Sequence, residues 1–326
     1  MSVRNLAQVQ ETEVARIGGE HVLPLLKRVE ELLVEVAAGR HGPLSQNASA
    51  TIAAGGKRLR PLLVVLTAAG DQSEALVRAA AAVELIHSAT LVHDDVLDAA
   101  PLRRGRPTIF HSAGRETATQ TGDLIFARAF SLVASNGDAE QVRILSDASS
   151  ALARGELLQR ADAWNASIEL DRYLERCDLK TARLFQAAAR LGTCNGGGDP
   201  EALGGFGRSI GLAFQILDDV LDVSGPAEKT GKHRGTDLLD GTVTLPFILA
   251  RELDEDLARI DPRDITTPQQ AEAVSDQIAA TGALDAARAR ALEYVAQAKR
   301  LLPGDLDAKE HAALTLVADG VVARFA

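Results

Sequence analysis

The stretch VELIHSATLVHDDVLD, residues 83–98, is an apolar run closed by a five-residue acidic pattern, and that pattern returns in IGLAFQILDDVLD, residues 210–222. The apolar spacing in both predicts a helix. Within each helix the outer aspartates are four residues apart, so Asp94 shares a face with Asp98, and Asp218 with Asp222. Carboxylates stacked one turn apart repel unless a cation sits on them. Their hard oxygens suit Mg²⁺, which takes about six oxygen ligands and commonly bridges to substrate phosphates. One such pattern in a chain with 45 acidic residues is an ordinary solvated helix end. Two copies, each closing an apolar helix and each followed by basic residues, predict two facing magnesium shelves with a diphosphate between them.

The rest of the chain is written in the same helical idiom. Good helix formers (Ala, Leu, Glu, Arg) dominate, aromatics are 3% of the 326 residues, and alternating strand patterns are hard to find. No Gly/Ser- or Pro-rich linker separates the acidic patterns. A single all-α domain over 1–326 is expected, with 1–20 a variable N-terminal helix or tail. A net charge of −10 argues against a nucleic-acid surface. Cys177 and Cys194 lack zinc spacing and suggest no disulfide framework, so both are expected as small core residues. Charged residues interrupt the first thirty positions, and no run approaches the roughly 18 apolar residues of a membrane span. The expectation is a cytoplasmic protein with at most peripheral membrane contact.

Element by element, the spacing predicts helices over 3–40 broken near Pro24, a loop at HGPLSQNA, and a helix after Ser45. GGKRLRP at 55–61 is a basic turn that opens the next helix, with proline in its first turn. A long helix over 72–98 carries the first acidic pattern, and a basic connection, APLRRGRPTIFH, comes after it. Helices are expected at about 115–134, 138–162, 169–193 and 200–223, then a glycine-rich loop over 224–241 and shorter helices over 244–320.

Cations bracket both acidic patterns. Lys57, Arg58 and Arg60 come after two glycines, where backbone can approach an anion closely. Arg103 and Arg104 come just after Asp98, near enough to fold back over the motif. Lys180 and Thr181 lie on another predicted helix, and Lys229 and Lys232 in the glycine-rich loop after Asp222. His87 and Leu91 continue the Asp94–Asp98 face, while Gly211 and Gln215 continue that of Asp218 and Asp222. Toward the helix N-terminus from Asp94 the side chains of Ala89 and Thr90 are slim, so a chain anchored at the aspartates would meet nothing bulky there.

Taken together, GGKRLRP, HSATLVHDDVLD, LRRGRPT, GD (122–123), KTA (180–182), FQILDDVLD and GKHRGTDLLDGTVTLP, in that order, resemble the trans-isoprenyl diphosphate synthase (polyprenyl synthetase) family from about residue 20 onward, and its long-chain all-trans members in particular. The resemblance implies an isoprenoid-synthase-type helical bundle around a deep central cavity, usually a homodimer. It implies head-to-tail condensation of isopentenyl diphosphate with an allylic diphosphate, aided by about three Mg²⁺ per active site. Asp94, Asp98, Asp218 and Asp222 then correspond to metal ligands, with Asp95 and Asp219 assisting. Lys57, Arg60, His87 and Arg104 correspond to the isopentenyl diphosphate clamp. Arg103, Lys180, Thr181, Gln215 and Lys232 correspond to the allylic diphosphate clamp.

Two positions depart from the family pattern. Thr242 stands where a lysine is common. Ala89 and Thr90 stand where short-chain members place aromatics, which points to a medium or long product; the alternative is a geranylgeranyl or farnesyl diphosphate synthase. A class I terpene cyclase pairs DDxxD with a different second motif and lacks the GGKRLRP clamp. A non-catalytic partner subunit would tend to lose the aspartates that this chain keeps.

Overall fold

The computed structural model describes residues 13–39, 42–103, 105–225 and 234–323. Among them the only strands are the two-residue pair Leu102–Arg103 and Arg106–Pro107. The described residues fall into two compact units: Met1–Ser149 with Leu184–Gly207 and Leu302–Val317, and Ser150–Arg183 with Arg208–Leu301 and Ala318–Ala326.

The centre of the first unit is the first motif helix, Glu74–Leu97. Ser73 caps it, accepting from the Leu76 N–H at 3.2 Å, and Glu74 lies favourably in the positive first turn. Its middle, residues 79–86, is buried on every side, with Ala79, Ala80, Ala81 and Ala82 letting neighbours come close. The neighbour it packs against most extensively is the helix Ile109–Ala134. By length and composition this motif helix could cross a membrane, contrary to the expectation from the sequence, but 72% of its most apolar window is buried inside the protein. Its apolarity is that of a core helix.

The helix stops at Asp98 because Ala99 takes the left-handed conformation, φ 48°, and the Ala100 N–H turns back to the Asp95 carbonyl at 3.0 Å. The chain then makes a small hairpin with Gly105 at its turn, φ 74°. Thr108 closes it, its hydroxyl donating to the Ala100 carbonyl at 2.6 Å while accepting from the His111 N–H. The basic connection therefore folds back onto the end of the motif helix.

Two boundaries differ from expectation. The first break falls at 19–21, and Pro24 sits inside the first turn of Val22–Ala38, where its missing N–H costs nothing. The stretch HGPLSQNA is not a loop from Pro43 onward: Pro43 starts the helix Pro43–Ala53 at the position it favours.

In the second unit the helix Leu170–Cys177 runs through one π turn, Asp178–Ala182, which carries Lys180 and Thr181. The second motif helix, Gly204–Ser224, reaches this unit from Arg208. Asp222 anchors the chain at 235–237: its carbonyl accepts from the Gly235 N–H at 3.0 Å and its carboxylate from the Asp237 N–H at 3.2 Å. The short helix Thr236–Leu239 thus interrupts the expected loop. Helices Leu245–Leu253, Pro268–Ala280 and Ala283–Arg300 complete the unit. Cys177 is buried as expected, but Cys194 is only half-buried and donates to Asp138 at 3.4 Å.

Candidate active site

Both acidic patterns split the same way. In the first, Asp94 is half-buried and Asp98 exposed, while Asp95 is buried. In the second, Asp218 is exposed and Asp222 half-buried, while Asp219 is 4% exposed. Helix geometry causes this: the second aspartate is turned about 100° from the first and points into the packing. Each buried carboxylate is pinned. Asp95 accepts from Arg103 Nε at 2.7 Å, so the hairpin brings these two predicted residues together. Asp219 accepts from the Tyr173 hydroxyl at 2.6 Å and from Gln215 Nε2 at 2.8 Å. Burial pushes the Asp219 carboxyl up to about 8, helped by Asp237, with the Tyr173 and Gln215 hydrogen bonds pulling the other way.

The Gln215 amide oxygen in turn accepts from the Thr181 hydroxyl at 2.6 Å. Two residues predicted for the allylic clamp are therefore in direct contact. A third, Lys180, ion-pairs with Glu156 at 2.6 Å and donates to Gln159 at 3.2 Å. Burial would raise the Glu156 carboxyl, but Lys180 and Arg160 outweigh it and hold the group below the usual carboxylate range. Gly155 makes this contact possible, since a Cβ there would lie 2.7 Å from the Lys180 backbone nitrogen.

The basic turn at 55–61 is divided by the fold. Arg58, left-handed at φ 46°, points inward to Glu30 at 2.5 Å and to the buried Glu84 at 2.8 Å. Burial alone would lower its pKa, yet the two glutamates leave it raised. Arg58 is thus a structural cation. Lys57 and Arg60 stay half-buried, and the Arg60 guanidinium stacks on the Phe185 ring at 4.4 Å. His87 and Thr90 are half-buried on the first motif helix, with the Thr90 hydroxyl donating to the His87 carbonyl at 2.8 Å. Ala89 faces elsewhere and has no exposed surface. Arg104, Lys229 and Lys232 lie outside the described residues.

Sequence reasoning missed Tyr173, Glu156, Gln159 and Asp237. Tyr173 carried one faint signal, being one of two tyrosines in the chain. The others carried none, because each matters only through partners distant in sequence.

Among the described residues no group of three His, Cys, Asp or Glu side chains is gathered tightly enough to hold a metal ion alone. The oxygen donors of Asp94, Asp98, Asp218 and Asp222 are of the kind Mg²⁺ takes, typically through one or two carboxylates with substrate phosphate and water completing the shell.

Comparison with known proteins decides the family: the polyprenyl synthetase family model matches residues 41–281. The chain belongs to that family. A heptaprenyl diphosphate synthase component 2 from Geobacillus stearothermophilus is 39% identical over 288 residues, covering 86% of this chain and 89% of the relative. A geranylgeranyl diphosphate synthase from Methanosarcina mazei is 36% identical, covering 83% of this chain and 86% of the relative. The crystal structure of a decaprenyl diphosphate synthase from Rhodobacter capsulatus matches with TM-score 0.88 and 34% identity, covering 97% of this chain and 99% of that one. As a member of this family the chain is a transferase of isoprenoid biosynthesis, a prenyl diphosphate synthase with the family's all-α fold.

Proposed function

We propose that the chain condenses isopentenyl diphosphate head-to-tail with an allylic diphosphate, in a magnesium-dependent reaction, to give an all-trans polyprenyl diphosphate of medium to long chain. One observation carries the reading: in both acidic patterns the outer aspartates are half-buried or exposed, one helical turn apart, while the buried one holds a residue assigned to the allylic clamp, Arg103 in the first and Gln215 in the second.

Asp94, Asp98, Asp218 and Asp222 are the groups that would hold Mg²⁺. When bound, the metal supplies positive charge to the diphosphate as the allylic C–O bond breaks and the leaving group takes the electron pair. Lys57, Arg60, His87 and Arg104 are assigned to isopentenyl diphosphate. Arg103, Lys180, Thr181, Gln215 and Lys232 are assigned to the allylic diphosphate. Asp95 aims Arg103. Lys180, part-exposed while paired with Glu156, can exchange that carboxylate for a phosphate. The new bond joins the allylic carbon to the terminal carbon of isopentenyl diphosphate, and the released diphosphate takes the proton that the product loses. No protein nucleophile is needed. The slim side chain at Thr90, half-buried on the first motif helix, supports a longer product, whereas Ala89, expected beside it, is packed away. A single synthetase domain over 1–326, assembled as a homodimer in the cytoplasm, completes the proposal.

The test is purified chain with radiolabelled isopentenyl diphosphate, a series of allylic starters, and magnesium or EDTA. Elongation with magnesium alone and none with EDTA is expected; Asp94→Ala and Asp218→Ala should each lower turnover about a thousandfold or more. Cyclisation of the starter without isopentenyl diphosphate would overturn the reading. The name of the Geobacillus relative, a synthase component, favours one second reading. In it the chain elongates only with a different protein added, which the same assay reveals.

A further inference from the structure

Tyr173 has no place in the substrate site proposed above, and its ring is wholly buried. A phenylalanine would fill the same space; what the hydroxyl adds is a polar atom that must find a partner. It finds Asp219 Oδ2 at 2.6 Å, and from there a line of hydrogen bonds runs through Gln215 Nε2 to Asp219 Oδ1 at 2.8 Å and Thr181 Oγ1 to Gln215 Oε1 at 2.6 Å. We propose that Tyr173 is a positioning residue for the allylic diphosphate: acting through Asp219, it fixes one orientation of the Gln215 amide and, through Gln215, the direction of the Thr181 hydroxyl. The inference rests on the assignment of Gln215 and Thr181 to that substrate.

The chemistry of each link is directional. The phenol donates to Oδ2 and the Gln215 amide to Oδ1, so the Asp219 carboxylate is held from both oxygens and its plane is fixed. An acceptor at Oδ1 requires the NH₂ end of Gln215, which puts the amide oxygen toward Thr181. Thr181 has one hydroxyl proton, and Gln215 Oε1 takes it. The amide nitrogen carries a second N–H whose direction is set once the first is bound, and a phosphate oxygen, being an acceptor, needs such a donor. Without the phenol, Oδ2 loses its donor, the Asp219 carboxylate can rotate, and Oδ1 no longer holds the amide in one place.

Tyr173→Phe keeps the ring and removes the link. The expected result is a KM for the allylic diphosphate raised about tenfold, a KM for isopentenyl diphosphate within twofold of wild type, and a melting temperature within a few degrees. Asp219→Asn, which cuts the next link, should give the same selective change. The double variant should be no worse than the more impaired single one, because both act on one chain of contacts. Equal rises in both KM values, or additive losses, would overturn the proposal. A readout independent of turnover is the side-chain amide ¹⁵N–¹H pair of Gln215, identified by its loss in Gln215→Glu. Two distinct, slowly exchanging signals in wild type that broaden or exchange faster in Tyr173→Phe support the proposal. Unchanged signals overturn it. A wild-type chain that makes no product while the amide pair behaves as expected removes the substrate assignment and leaves the Tyr173–Asp219–Gln215 coupling standing.

Discussion

Replacing Asp95 by asparagine separates the two jobs that the first acidic pattern performs. Asp95 is nearly buried and its side chain is 10% exposed, whereas that of Arg103, its partner at 2.7 Å, is 30% exposed. The pair therefore lies between two limits: about 0–1 kcal/mol for an exposed ion pair and about 3–5 kcal/mol for breaking a buried one. A middle figure of about 2 kcal/mol agrees with the ~1.5–3 kcal/mol of a hydrogen bond to a charged group. At 1.4 kcal/mol per tenfold, that is roughly a thirtyfold effect. Since Arg103 is assigned to the allylic diphosphate, the change should appear as a KM for that substrate raised about thirtyfold, with kcat within a few-fold of wild type. Asp94→Ala should do the reverse and collapse kcat. Steady-state rates with labelled isopentenyl diphosphate, over a range of allylic diphosphate, measure both. If Asp95→Asn loses kcat as heavily as Asp94→Ala with KM unchanged, Asp95 acts on the diphosphate or its metal directly, and burial is no guide to its role.

Three further outcomes are expected. Lys180→Met should destabilise the fold by about 1–2 kcal/mol at neutral pH, since it leaves Glu156 short of a partner. The Glu156 pKa is depressed in the folded state, so the stability it contributes is present above the ordinary carboxylate pKa and lost as pH falls through the folded one. Denaturant melts of wild type and Lys180→Met should therefore converge below about pH 4; a constant gap down to acid would refute the pairing. Gly155→Ala places a methyl 2.7 Å from the Lys180 backbone nitrogen and should cost about 1–3 kcal/mol in the same melts, whereas a neutral result would show that the π turn shifts freely. Thr90→Phe puts a large ring on the half-buried part of the first motif helix; chromatography of the products should show shorter chains, and an unchanged distribution would place the length limit elsewhere.

The helices were legible in the sequence because their signals are local. The proline in the first turn of the helix that GGKRLRP opens, and acids spaced by four, need only neighbours a turn away, whereas the same signal at Pro24 and Pro43 reads in the sequence as a break and a loop. The pairs Asp94–Asp98 and Asp218–Asp222 come from the same arithmetic; the burial of Asp95 and Asp219 shows only in the packed chain. The apolar run of Glu74–Leu97 was less legible, since a core helix and a membrane span share a composition and only packing tells them apart.

Tertiary structure alone decided which charges remain for chemistry. Charge and spacing alone do not distinguish Arg58 from Arg60 in GGKRLRP, and only the resemblance singles out Arg60; in the fold one faces Glu30 and Glu84 while the other stacks on Phe185. Likewise Asp219 and Tyr173 are 46 residues apart, and Lys180 reaches Glu156 only because Gly155 admits the π turn. The physical reason is range: backbone periodicity acts over one or two helical turns, whereas the partner of a buried charge is whatever the packed chain brings within about 3 Å.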